Sequence, residues 1–303
     1  MTVCIAAIYN NNAILAASDR MVTGGYGDIT FEPPISKILR LTNAIGILTA
    51  GDQSIQIQVY QATKKVVDQK IANNPERWLT VLEVVQDYST CFLELRKRLI
   101  EAQILSPYDL TFDKFISQQG NMNQGFVNTI SSRIDRFQSE NMNSIETIIA
   151  GIDDDGGIDV PHVYVVRNGK VNCHDKLGFA SIGIGSNHAI SHFMLSEYSR
   201  VDPEAKALLT VHQAKKKAEV SPGVGSTTDM CIIGIGKGQF VDIVPIKDLD
   251  IVRKLDKVYQ KYTKQIKKVD RETEKAIEKY LKSITTSEPN VEQVASPSPS
   301  LSE

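Results

Sequence analysis

Thr2 is the residue in this sequence best equipped for chemistry. Its small side chain favours removal of Met1, and removal would leave one residue carrying a hydroxyl and a free α-amine. An α-amine titrates near pH ~8, so a fraction of it is neutral and able to take a proton at neutral pH. A hydroxyl alone is a poor nucleophile and needs an adjacent base; an N-terminal Thr carries its own. Two further groups can be brought to it. Asp19 closes the apolar run that begins at Ala13, and Lys37 lies among Ile35, Ile38 and Leu39. A Lys held half-buried between apolar neighbours needs a carboxylate partner, and Asp19 is the natural one.

The elements that position these groups are two predicted hairpins. Val3–Tyr9 and Ala13–Asp19 are apolar runs separated by Asn10-Asn11-Asn12, and Asn tolerates the positive φ that tight turns need. An antiparallel hairpin returns its far end to its start, which puts Asp19 near Thr2 and Arg20 close by. A second hairpin is expected from Ile35–Leu41, a turn at Thr42-Asn43-Ala44, and Ile45–Asp52.

Thr2, Ala16-Ala17-Ser18-Asp19-Arg20, Ser36-Lys37-Ile38 and Thr49-Ala50-Gly51-Asp52 together resemble the proteasome-type N-terminal-nucleophile hydrolases. The pattern looks most like bacterial proteasome-like members and proteasome β subunits. The resemblance implies an α+β fold, a four-layer αββα sandwich with two antiparallel sheets face to face. It implies that a processed N-terminal Thr attacks an amide carbonyl, that an Asp and a Lys tune it, and that a Gly N–H stabilises the oxyanion. On matching positions these catalytic residues are Thr2, Asp19, Lys37 and Gly51. A fixed N–H aimed at developing charge is worth about 3 kcal/mol, and an adjacent ammonium lowers nearby proton affinities.

The likeness continues in Ile145–Gly156, in Pro161–Val166 with Asn168-Gly169, in Phe179–Ala189 and in Asp229–Ile233, so that it covers residues 2–65 and 145–245. It departs at Ile184, where the family's turn carries a Ser, and in Ser221–Thr228, where no Asp precedes Asp229. Ser221 and Ser226 have no assigned role. The implied activity is a threonine-type hydrolase cleaving peptide or other amide bonds through an acyl-enzyme, without cofactor or metal. The implied assembly is a homo-oligomer, with a ring as one form; no motif identifies an ATP-dependent partner. A noncatalytic subunit, serving as ring scaffold or binding module, is the alternative that Ile184, the missing acid near Ser221 and an added C-terminal helix leave open.

Composition fits that frame. Hydrophobic residues make up 42% and charged residues 23% of 303 positions, enough for a substantial core. A net charge of −2 points to neither a nucleic-acid nor a membrane partner. No apolar run approaches the ~20 residues of a membrane helix, and no charged leader suggests a signal peptide. Cys4, Cys91, Cys173 and Cys231 form no Cys-x-x-Cys pair, so reduced thiols in a cytoplasmic protein are expected.

Residues 1–250 form the expected main domain, with a helical elaboration around 75–143. Helices are predicted over 54–72 and from Asn74 onward through Leu99, and another from Pro203 to about Val220. Residues 105–143 fall outside the family pattern, either an insertion shaping access to the site or a surface elaboration. His188 and His192, spaced i, i+4, lack a third ligand and read as helix-face residues. Asp153-Asp154-Asp155-Gly156-Gly157 lacks the ligand pattern of a calcium loop and reads as a solvated turn. Residues 251–282 carry apolar positions alternating by four and three, from Leu255 to Tyr280. They predict a coiled-coil segment or an amphipathic helix packed on its own or a neighbouring subunit. Residues 283–303, rich in Ser, Pro, Thr and Glu, are expected to be disordered.

Overall fold

The Asn cluster does turn the chain. β1 (Cys4–Tyr9) and β2 (Ala13–Asp19) pair antiparallel, and Asn10 and Asn11 take φ of 49° and 56° between them. A computed structural model describes residues 2–24, 29–33, 35–235, 242–246 and 249–285. Met1 and the tail beyond residue 285, on which expectations were placed, lie outside these. The chain divides into two compact units, residues 1–249 and 250–303.

The first unit mixes helices with two five-stranded antiparallel sheets. One sheet runs in the order β10 (Phe179–Ile182), β1, β2, β11 (Thr228–Ile235), β12 (Asp242–Pro245). The other runs β5 (Ile38–Arg40), β6 (Ile45–Ala50), β7 (Glu146–Asp155), β8 (Ile158–Arg167), β9 (Lys170–Cys173). β3 (Val22–Gly24) and β4 (Ile29–Phe31) make a separate small ribbon.

The unbroken apolar runs of the central strands follow from burial on both faces. In β1, Cys4, Ala6 and Ile8 share one core cluster with Ile47 and Ile149 of the second sheet. The alternate residues Ile5, Ala7 and Tyr9 pack instead with Phe193 of α5 (Ser186–Leu195) and Val211 of α6 (Glu204–Ala218). β6 is likewise buried along its length, with α1 (Gln53–Asn73) and α2 (Val81–Ile100) contributing Val59, Val85 and Phe92 to its cluster.

Three expectations are corrected by local chemistry. The second hairpin is shorter than its apolar run: Lys37 precedes β5, and Asp52 leaves the strand to cap α1, its Oδ1 accepting from the N–H of Ser54 and Ile55 at 2.8 and 3.1 Å. The second helix starts at Val81, not Asn74, because Thr80 and Glu83 form a reciprocal capping box there. Trp78 and Leu79 keep the apolar rhythm but pack on the core before the helix begins. Residues 105–143 are not superficial: α3 (Phe112–Gln118) and α4 (Gln124–Phe137) insert Phe115, Ile130 and Ile134 into the main core. Asn123, within the segment read as a loop, caps α4.

A polar clamp ties β7, β8 and the turn after β9. His162 Nδ1 lies 2.6 Å from Asp175 Oδ2, and its Nε2 lies 3.5 Å from Asp153 Oδ2. Asp153 also accepts from the Val81 N–H at the start of α2, at 2.7 Å. The Asp175 hydrogen bond raises the His162 pKa above the usual imidazole value despite its partial burial.

In the second unit, α7 (Leu249–Thr285) is a single long helix. Ile266, Val269, Ile277 and Tyr280 on it are exposed. Lys254, Lys261, Lys268, Lys275 and Lys282 recur every seven residues, at heptad positions opposite that seam. No helix among the described residues is long and apolar enough to cross a membrane.

Two outcomes follow from the caps and the clamp. Thr80→Ala removes one half of the capping box and lowers unfolding free energy by about 1 kcal/mol, read from the denaturant midpoint. Because the folded-state pKa of His162 is raised, its contribution to stability is complete below pH about 6.5 and fades as pH rises through the folded value. Stability measured from pH 5 to 9 falls over that interval in the native chain, and His162→Asn flattens that part of the profile.

Candidate active site

Register alone brings the first pieces together. Cys4 pairs with Ser18 across the β1–β2 hairpin, so the next residue out, Asp19, faces the chain at Thr2 and Val3. Its N–H donates to the Val3 carbonyl at 3.2 Å. Thr2 is 2% exposed and Asp19 is fully buried. The Thr2 hydroxyl donates to Asp19 Oδ1. Lys37 Nζ reaches the same hydroxyl at 2.5 Å, Asp19 Oδ1 at 3.0 Å and the Met21 carbonyl at 2.6 Å. One hydroxyl oxygen thus sits between a carboxylate and an ammonium.

The Asp19 carboxylate is held from several directions. Oδ1 also accepts from the Val3 N–H, while Oδ2 accepts from the N–H groups of Met21 and Gly225, each at 3.0 Å. Hydrogen bonds to the charged form and a nearby cation are what allow a carboxylate to be buried ionised.

Gly51 follows β6 and lines the same cleft as Thr2 and Lys37, a cavity of about 240 Å³. Its φ is +116°, and a Cβ there would lie 2.5 Å from the Ser144 carbonyl oxygen, so the backbone at this wall of the cleft requires glycine. Gly183, in the turn before α5, is needed for a different reason. Its φ is +86°, and a Cβ would come within 2.3 Å of the Thr2 carbonyl oxygen. The Gly185 N–H donates to that same carbonyl at 3.3 Å, and the Gly183 N–H donates to Glu146 Oε2 at 2.7 Å. The Gly-rich turn therefore seats the main chain of Thr2.

The four residues singled out from the sequence all line this cleft or bond directly to its hydroxyl. Others were not legible. Gly225 supplies a hydrogen bond to Asp19 from the loop in which no acid was found. Lys215, fully buried on α6, supports that loop: its Nζ donates to the Gly225 and Ser226 carbonyls at 2.8 and 3.0 Å and to Glu219 Oε1 at 2.6 Å. Burial lowers the Lys215 pKa, against the pull of Glu219. Glu32 grips the loop from the other side, accepting from the Thr227 N–H at 3.2 Å and from its hydroxyl. Burial pushes the Glu32 carboxyl up, but the bonds from Thr227 and Ser226 outweigh it and hold its pKa below the usual range.

Arg20 forks onto Asp229, with Nε 2.9 Å from both carboxylate oxygens. The Ser221 N–H donates to the Ala218 carbonyl, and its own carbonyl accepts from Val224, so the backbone of this residue closes the turn after α6. Ile184 is exposed. Cys4 is a core residue whose thiol burial pushes to about 12, which leaves it inert. Burial pulls the His192 imidazole down to about 4. Among the described residues no group of three His, Cys, Asp or Glu side chains could hold a metal ion.

No protein-family model and no curated protein sequence matches the chain.

Gly183→Ala tests whether the turn seats Thr2. Strain at positive φ and the clash with the Thr2 carbonyl are expected to cost at least about 2 kcal/mol of stability, measured by urea denaturation.

Proposed function

We propose that the chain is an N-terminal threonine hydrolase that cleaves peptide or other amide bonds through an acyl-enzyme once Met1 is removed. The observation carrying this is the Thr2 hydroxyl, placed between Asp19 and Lys37 at the wall of a cleft. The resemblance to proteasome-type N-terminal-nucleophile hydrolases predicts the same residues. The packing supports the four-layer αββα arrangement: α5 and α6 cover one sheet, α1 and α2 the other, and the sheets share a core.

In this mechanism Thr2 Oγ1 attacks the amide carbonyl and its proton passes to the α-amine of the same residue. Lys37 favours the deprotonated oxygen by charge, and Asp19 fixes Lys37. The Gly51 N–H takes the developing oxyanion. The ammonium of Thr2 returns the proton to the leaving amine, and an ester to Oγ1 remains. Water then attacks the ester with the α-amine as base, releasing the acid and regenerating the hydroxyl. No step needs a metal or an organic cofactor.

The noncatalytic alternative keeps one observation in its favour, the apolar, exposed Ile184 where the family pattern has a hydroxyl. Intact mass and turnover separate the two. Catalysis predicts loss of Met1, covalent labelling of Thr2 by a β-lactone, and hydrolysis of fluorogenic peptide amides. Thr2→Ala is expected to reduce that hydrolysis at least ~10³-fold and Lys37→Met to a similar degree, since residues acting as a unit fail together. Retained Met1 with no labelling overturns the catalytic proposal and favours the subunit role.

A further inference from the structure

Gln56 lies one turn into α1 and is 6% exposed, yet its side-chain Nε2 has no hydrogen-bond partner. The residue lines the cleft that holds Thr2, together with Gln53 on the same face of the helix. Its backbone is anchored, the N–H donating to the Asp52 carbonyl at 3.1 Å, so the side chain is presented from a fixed base. A buried amide nitrogen without a partner is costly, and such groups are paired in most folded proteins. At the wall of a substrate cleft, the missing partner is a group that the ligand brings.

The chemistry of the amide narrows that group. A primary carboxamide carries two N–H donors beside a carbonyl acceptor. Another primary carboxamide matches it whichever way the two ends point, because donor meets acceptor in both arrangements. A carboxylate offers acceptors only, so one of its oxygens opposes the Gln56 amide oxygen, and the Lys37 ammonium of the same cleft already donates to Thr2, Asp19 and Met21. An ammonium offers donors only and cannot accept from Gln56 Nε2. An apolar side chain leaves the amide dry and unpaired.

We propose that the cleft beside Thr2 binds a peptide residue with a carboxamide side chain, Gln or Asn, and that Gln56 is the residue that selects it. This rests on Thr2 as nucleophile, with the selected residue on the acyl side of the bond cut. Sites that pair a buried polar group with the substrate reject analogues lacking the partner far more strongly than apolar pockets reject a size change.

The test does not depend on turnover. Product-like peptides acetyl-Ala-Ala-Xaa with a free carboxylate, with Xaa as Gln, Asn, Met, Leu or Glu, are titrated calorimetrically into the full-length protein. The Gln or Asn peptide is expected to bind at least tenfold more tightly than the Met, Leu and Glu peptides. Gln56→Met, a near-isosteric apolar change, removes that preference, and Gln56→Ala does so by deletion if the Met variant folds poorly. Equal or tighter binding of the Met, Leu or Glu peptide overturns the inference. So does a preference that survives in both variants, or no binding of any of the five peptides. Labelling and turnover of Thr2 decide the nucleophile separately, so a catalytic protein with a different preference is distinguishable from a noncatalytic one.

Discussion

A carboxylate sealed from water is the constraint around which the site is built. Asp19 has no exposed surface, and an unpaired charge in that position would cost several kcal/mol. The surrounding chain answers with three backbone N–H groups, one ammonium and one hydroxyl. These donors come from Thr2 and Val3, from Met21, from Lys37 and from Gly225. Meeting the needs of one charge therefore fixes the relative positions of four stretches of chain. The Thr2 hydroxyl and the Lys37 ammonium are brought together as part of that arrangement.

The dependence extends outward. Gly225 can aim its N–H at Asp19 only while its loop is held, and Lys215 and Glu32 hold it through backbone carbonyls, a backbone N–H and a hydroxyl. Lys215 is fully buried and Glu32 half-buried, and each is compensated locally, Lys215 by Glu219 and Glu32 by Thr227. The acid expected in the 221–228 segment is absent. What this loop supplies instead is different in kind: an acid would accept hydrogen bonds, whereas the Gly225 N–H donates one to the buried carboxylate.

How much of this was legible in the sequence depended on the range of the interaction. The first hairpin could be read because its turn residues and apolar runs are neighbours, and register then placed Asp19 beside Thr2. Lys37 could be read because a cation among Ile35, Ile38 and Leu39 asks for a partner. Gly225, Lys215 and Glu32 could not, because their reasons lie across the fold: Gly225 bonds a residue 206 positions away. Gln56 looks from sequence like a polar residue on an ordinary helix, and only its lack of a partner distinguishes it. The start of α2 was misplaced because Trp78 and Leu79 continue the helical rhythm, while Thr80 and Glu83, two polar residues, set the boundary. The two helices within 105–143 were expected only as part of a helical elaboration over 75–143; Val127, Ile130, Ile134 and Phe137 recur at helical spacing, but that they enter the main core depends on the fold and not on local pattern.

The long reach from Asp19 to Gly225 also bears on timing. Contacts between residues far apart in the chain require a large loop to close before they repay its entropy, and they tend to form late. The carboxylate gains its full set of donors only when β11 and the loop before it have docked against β2. The set of donors that fixes the Asp19 carboxylate beside the Thr2 hydroxyl is therefore completed only in the finished structure.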